Sequence, residues 1–539
     1  MKAQRVAFAL TLATCAACSH VATPPPHVLR IADTSDPSSL NPLLAHDQDT
    51  IGFDLLFAQT LVGLDARNSL VPILVTRVPS RANGDISADG RTIVYRLRRN
   101  VRFADGRPLT SADVAFTFRA IEDPRNPVLS EDAYRRVAAL TTPDAHTVIV
   151  RLRSPWNAAV RELFAQSDFA FGILPAHAFA STAMVGAPWE AHAFGTGPFR
   201  VTEWRRGERI VLEPNPYFLP RPRLSRLELR MTPTFDAMLI GLRTGELDVG
   251  RVEPAQAYYA PPNVRIVSTA INGLDYLALQ IAAAPTDDAA VRRAIALALD
   301  VPVIERAFHG LYRSAAAFLP PVFRWSDAAL RPIAHDDRAA AAALDRAGWR
   351  LRQGVRIKNG VPLDVLLVRE ELGNGSGLAA IIQRQLAVDG IRLTIKSFPP
   401  STFNALQGPI RAGRFNMAVQ GWIGGADPEQ SVVFACGQIG PDGNNVQRFC
   451  DPRFEVAFRD QAVTPDEGRR KRDFITMQEI VYDRLPVIPL DYTRFFDAVG
   501  PRVQGFARNM LGYPVNAESW DAATENPARA KEARPGSRQ

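Results

Sequence analysis

The residues best suited to chemistry lie together late in the chain, in Phe415–Glu429 (FNMAVQGWIGGADPE). Trp422 brings a large flat ring with one N–H donor. Asp427 and Glu429 place carboxylates on either side of Pro428. Gly424 and Gly425 let the backbone take positive φ or come close to another group. A strand that runs into a glycine-rich loop with one aromatic and a carboxylate suits the lining of a ligand cleft at the carboxyl ends of strands. The competing reading is a tight turn whose tryptophan is core. A second pair, Arg369 and Glu370, follows the apolar run Leu363–Val368 and precedes GNGSG. It is placed to meet a ligand carboxylate and amine, or to be a solvated loop pair. Tyr276 reads as core before it reads as a contact, and Asn41 as a cap for the helix that follows before a cleft residue.

The elements that must position these groups follow from periodicity. Phe415, Met417 and Val419 alternate with polar or small residues, as in a short buried strand. Leu274–Ile281 (LDYLALQI) and Val487–Tyr492 are apolar strands, and Asp497–Val499 is a further one. His27–Thr34, Ile93–Leu97, Val148–Leu152, Ile210–Leu212, Leu227–Met231, Leu247–Val249 and Ile391–Ile395 also read as strands. Helices are expected over Asp47–Leu64, after the capping box Thr110–Asp113, and after Thr234, Asp288 and Ser376, with a late one around Phe474–Val481. Gly245 and Gly390 mark helix ends. The strand–helix–strand unit around Thr234 implies a parallel pair.

Composition excludes several classes. At 539 residues the chain exceeds one core. The net charge of +7 comes from scattered Arg, and the short run Arg469–Arg472 reads as a solvated helix face, so no nucleic-acid partner is expected. No apolar run is long enough to span a bilayer. The eight His show no paired spacing, so neither a metal nor another cofactor is expected. GNGSG lacks the spacing of a nucleophile elbow, so a secreted hydrolase is the weak alternative.

Lys2 and Arg5, the apolar Val6–Ala13 and the small residues up to Cys18 form an export signal. It resembles a bacterial lipoprotein signal, which makes Cys18, rather than Cys15, the lipidated residue and implies a membrane anchor facing the periplasm or cell exterior. Export permits disulfides, and Cys436 and Cys450 flank a turn-rich loop that a bridge would close.

Across nearly the whole chain, Ser39–Pro42 (SLNP), Ala88–Phe118, Gly195–Phe199 (GTGPF), Glu213–Tyr217 (EPNPY), Leu242–Val249 (LRTGELDV), Val291–Asp300 and Gly421–Trp422 resemble, in order, family 5 of the bacterial extracellular solute-binding proteins, the dipeptide- and oligopeptide-binding proteins of ABC importers. The resemblance implies an α/β fold like periplasmic binding proteins of type II. Two lobes close on a hinge around a cleft, a small third domain is inserted in the first, and no catalysis takes place.

The expected division is 1–18 signal and 19–27 tether; 28–55, 184–272 and 487–521 first lobe; 56–183 inserted domain; 273–486 second lobe; 522–539 disordered tail. Leu274–Ile281 and Val487–Tyr492 are the expected crossings between lobes. The implied partners of this monomer are a small peptide and the permease subunits of a transporter, with an oligosaccharide, opine or metallophore as the alternative solute. In peptide-binding relatives an Asp directly after the position of Gly424, or two residues on, holds the ligand's α-amino group. Here Gly425 follows Gly424, so either Asp427 takes that role by a shift of register or the amine pocket is absent.

Overall fold

The computed structural model describes residues 27–523 apart from 46, 129–130, 168, 310–312, 372–374, 429–430 and 441–442. The signal, Cys15, Cys18, most of the tether, Glu429, Gly373 and Asn374 of GNGSG, the side chain of Ser376 and residues 524–539 lie outside it.

Ten strands form one mixed sheet. The first wing holds β1 (Val28–Asp33), β5 (Phe199–Arg205), β6 (Arg209–Pro214), β7 (Arg226–Met231) and β8 (Val249–Val252); the inserted domain between β1 and β5 carries β2 (Thr92–Arg96), β3 (Val137–Asp144) and β4 (Thr147–Leu152) as a separate sheet. The second wing holds β10 (Asp364–Glu370), β11 (Arg392–Phe398) and β12 (Met417–Ile423). Two long strands, β9 (Arg265–Leu279) and β13 (Val487–Val499), belong to both wings, and the order is β11-β10-β12-β9-β13-β8-β1-β7-β6-β5.

The expected crossings are halves of these longer strands. Arg265–Ala270 of β9 pairs with Arg494–Val499, and Leu274–Ala278 pairs with Val487–Tyr492. Between them the ladder is irregular at Ile271–Gly273. Extra residues on one strand bend and twist it at this point. The separate strand expected at Asp497–Val499 is the far end of β13.

Local chemistry fixes the helices. Helix α1 is Gln48–Asp54, α2 Ser111–Ile121, α3 Phe235–Thr244, α4 Ala289–Ala298, α5 Gly375–Val388, α6 Pro452–Val463 and α7 Glu467–Arg484. The capping box Thr110–Asp113 starts α2, and the side chains of Thr234 and Asp288 accept from the first turns of α3 and α4. Gly245 takes φ 76° at the end of α3. β7 and β8, which flank α3, are both parallel to β1, but β1 lies between them, so the expected direct pair is a crossover of one strand.

Helix α1 stops ten residues before the expected Leu64. The carbonyls of Leu56 and Phe57 instead accept from Phe199 and Gly197 of GTGPF, at 3.1 and 2.9 Å. A Cβ at Gly195 or Gly197 would fall 2.2 or 2.5 Å from those backbone oxygens, so only glycine permits the contact. Leu61 then bonds the Phe164 carbonyl and Val62–Leu64 runs as a strand.

Apolar clusters cover the sheet: α4 and α5 pack on Leu277, Leu279, Leu367 and Met417, and α7 packs with Phe434, Phe449 and Phe454 near Tyr276 and Leu274. Cys436 and Cys450 are disulfide-bonded. Three of the four basic residues Arg469–Arg472 are exposed as expected, but Arg470 is buried. Ala522, expected as the first residue of the tail, instead pairs in a strand, Asp521–Ala522 against Val503–Gln504, and residues 524–539 lie outside the described residues.

Candidate functional site

The carboxyl ends of the parallel strands of both wings carry the polar groups of the lobe junction. On the first wing these are Asp33 and the segment Arg251–Glu253; on the second they are Arg369–Glu370 and Trp422–Asp427.

Trp422 ends β12 opposite Leu274 of β9 and packs half-buried on the cluster around Leu274 and Tyr276. Its Nε1 is buried and donates to nothing among the described residues. The loop beyond it is held by Asn272, which lies in the irregular stretch of β9 and which periodicity does not single out. The Asn272 carbonyl accepts from Gly424 N at 2.7 Å, and its Nδ2 donates to the Gly425 carbonyl at 2.8 Å. A Cβ at Gly424 would meet Asn272 Nδ2 and the Trp422 ring, each at 2.7 Å. Gly424 therefore lets the indole fold back on the strand. Asn272 is fully buried, and its Oδ1 accepts from nothing among the described residues.

Asp427 is paired with cations from two elements, while its Oδ2 accepts no hydrogen bond among the described residues. Its Oδ1 accepts from Arg470 Nη2 at 2.7 Å, and Oδ2 lies 3.9 Å from Arg161 Nε of the inserted domain. The carboxylate already has its counter-charges, which is why Arg470 turns inward from an otherwise solvated face. Tyr276 is 4% exposed within the core, with burial pushing its phenol up. Asn41 is 1% exposed and closes its own turn, its Oδ1 accepting from Leu43 N; the cap of α1 is Asp47. Glu370 accepts from Asn404 at 2.7 Å, and Arg369 donates to the Glu370 carbonyl, while its buried Nε has no partner among the described residues.

The missed residues are on the crossing strands. Asp275 of β9 lies directly opposite Asp491 of β13 on one side and Gly421 on the other. Directly opposed residues share a face of the sheet. A Cβ at Gly421 would come 2.6 Å from Asp275 Oδ1, so this glycine makes room for the carboxylate. Among the described residues Asp275 has no hydrogen-bond or ion-pair partner, and it is only partly covered. Burial, then Glu253 of the first lobe, pushes its carboxyl up to about 6. Asp491 is pushed up to about 7, chiefly by burial, with Asp275 and Glu305 adding to the rise and Arg313 N–H and Arg494 opposing it.

Alternation along β13 puts Asp491, Thr493, Phe495 and Asp497 on one face. Arg251, opposite Asp497, lies over the Phe495 ring at 4.0 Å and pairs with Asp49, while its buried Nε and Nη2 donate to nothing among the described residues. The junction thus presents unpaired carboxylate at one end and unpaired guanidinium N–H groups at the other. The sequence signal was slight: an acidic residue inside each of two apolar runs (LDYLAL, PLDY).

The sequence model for "Bacterial extracellular solute-binding proteins, family 5 Middle" matches residues 69–440. The chain belongs to this family. As a family-5 binding protein it is 26% identical over 476 residues to di/tripeptide-binding protein 2 of Pseudomonas aeruginosa, covering 82% of this chain and 86% of that one. It is also 26% identical over 480 residues to the nickel-binding periplasmic protein of Escherichia coli, covering 84% and 86%. Its fold matches the ABC transporter-associated periplasmic binding protein DppA of Helicobacter pylori, solved with the peptide STSA, at a TM-score of 0.70 and 21% identity, covering 92% and 98%. The two-lobed α/β fold of type II that the resemblance implies is this fold.

Proposed function

We propose that this family-5 binding protein is the capture component of an ABC importer and takes short peptides between its lobes. The carrying observation is Asp275, an unpaired carboxylate facing a second one, Asp491, across the crossing strands. Two carboxylates this close repel each other, Asp275 having no cation of its own among the described residues, and an ammonium group relieves both. A peptide's α-amine is such a group, and it meets the pair one residue from Trp422. Arg251 receives the peptide's carboxylate through the N–H groups that nothing else uses. Asp491 and Asp497 are six residues apart on β13, about 20 Å at strand spacing, and the Arg251 guanidinium leans back over Phe495. The separation suits a peptide of about three or four extended residues. Trp422 supplies packing, and the Oδ1 of Asn272 supplies one side-chain acceptor. The amine site thus lies on the strand beside the glycine loop rather than within it, which is how Gly425 is tolerated.

A thermal-shift screen tests the function. A di- to pentapeptide pool at about a hundred times its Kd raises the unfolding free energy by roughly 2.7 kcal/mol. No shift with any peptide, and a shift with nickel–histidine or an oligosaccharide, moves the function to a non-peptide solute. Trp422→Ala weakens the peptide response by about 1–3 kcal/mol, the range for losing a buried aromatic anchor; an unchanged titration by calorimetry contradicts its role.

We also propose that the mature protein is a monomer held at the membrane by a lipid on Cys18. Cys18→Ser moves it from the membrane to the soluble fraction of fractionated cells. Retention in the membrane with Cys15 intact contradicts the assignment.

A further inference from the structure

One short stretch of the inserted domain touches the second lobe at two places. Asn157 sits just before the helical turn Ala159–Glu162 and faces the carboxyl end of α6. Its backbone N–H donates to the Ala462 carbonyl at 2.8 Å, and its Nδ2 donates to the carbonyls of Gln461 at 2.8 Å and Thr464 at 2.7 Å. The last carbonyls of a helix have no partner within it. Asn157 supplies them from a domain some three hundred residues away in sequence. Four residues on, Arg161 reaches the loop beyond Trp422: its Nη1 donates to the Ala426 carbonyl at 3.5 Å, its Nε is 3.9 Å from Asp427 Oδ2, and its guanidinium lies 5.9 Å from the Trp325 ring. The two places are also joined within the second lobe. Gln461 Oε1 accepts from Arg470, and Arg470 donates to Asp427.

We infer that Asn157 and Arg161 form a clasp that fixes the closed arrangement of the lobes and positions the Trp422–Asp427 loop over whatever fills the cleft. None of these groups shares an element with its partner, so each contact is one between the inserted domain and the second lobe. Opening strands the carbonyls of α6 and removes Arg161 from a carboxylate that keeps Arg470. The clasp is therefore a coupling between lobe closure and ligand retention, carried by residues that do not touch the ligand. It rests on the contact between domains and not on the peptide reading.

Small-angle X-ray scattering and hydrogen exchange on the full mature protein, first without any ligand and then with saturating trialanine, test the inference. Asn157→Asp removes two donors and sets a negative charge against the negative end of α6, so it opens the lobes more than Asn157→Ala. Both variants and Arg161→Ala enlarge the radius of gyration and raise amide exchange over residues 461–464 and 424–427. Where trialanine binds, it leaves them about ten times faster than wild type while associating at the same rate, a coupling of ordinary size. Arg161→Lys recovers part of the effect. The melting temperature of each ligand-free variant stays close to wild type, since only the interdomain contact is lost; a variant that fails to fold is replaced by the other position, which reads the same clasp. Scattering and exchange that superimpose on wild type in both conditions overturn the inference. Failure of trialanine to bind contradicts the peptide reading alone, because the ligand-free comparison still decides the clasp.

Discussion

Asp275→Asn lowers peptide affinity about a hundredfold while making the empty protein more stable at pH 8. The two effects share one cause. A buried carboxylate without a counter-charge is unfavourable, and burial raises its pKa to about 6. A folded-state pKa above the unfolded value favours folding at low pH, and that contribution is lost as pH rises through the folded value. The empty protein therefore loses stability from this group as pH rises through about 6, and from Asp491 as it rises through about 7. Removing the charge restores on the order of 2 kcal/mol at pH 8.

Ligand binding runs the other way. An ammonium pairs with the ionised form, so affinity rises as pH rises from 5 to 8, and in Asp275→Asn the rise is blunted. Truncating one partner of a desolvated charge pair costs about 2–5 kcal/mol, which is at least tenfold and commonly more than a hundredfold in Kd. Glu253, Glu305, Arg313 N–H and Arg494 also face the pair and set its midpoint. Calorimetry and chemical denaturation between pH 5 and 8 check both signs. An affinity that falls with rising pH, or an Asn variant less stable than wild type at pH 8, contradicts the assignment.

Arg470→Ala destabilises the fold by about 3–5 kcal/mol, because it leaves Asp427, with its side chain 1% exposed, charged in the interior with only Arg161 in reach at 3.9 Å. Gln461 Oε1 also loses its donor, since it accepts from Arg470 through both Nε and Nη2. The double variant Arg470→Met with Asp427→Asn recovers most of the loss, since neither buried charge remains. Urea denaturation of the three proteins measures this. A single variant within about 0.5 kcal/mol of wild type, the scatter of an ordinary surface substitution, contradicts the structural role given to Asp427.

Much of the framework was legible because local patterns and global packing agree. The capping box at Thr110, the caps at Thr234 and Asp288 and the αL glycines 245 and 390 sit where their chemistry places them. Helix α1 was overestimated because its apolar spacing continues past Asp54, while the hydrogen bonds that end it come from GTGPF, far along the chain. The family loop was legible as a place, but the roles within it were not. Asp427 is a carboxylate whose partner, Arg470, lies 43 residues on, and no local pattern pairs them. Asp275 and Asp491 were hidden for the opposite reason. Each interrupts an apolar strand by a single residue, and only the register of β9 against β13 sets them side by side. Asn272 gains its role from an irregular ladder that periodicity does not encode.

The central claim is that a free amine is held by Asp275 at the junction of the lobes, and calorimetry of one tripeptide in two forms tests it most directly. At pH 7.5, trialanine with a free amino terminus binds the wild-type protein, and N-acetyl-trialanine binds about a hundredfold more weakly, the loss expected for one desolvated charge pair. In Asp275→Asn the two forms bind alike. Equal binding of the free and acetylated peptides to the wild-type protein contradicts the account.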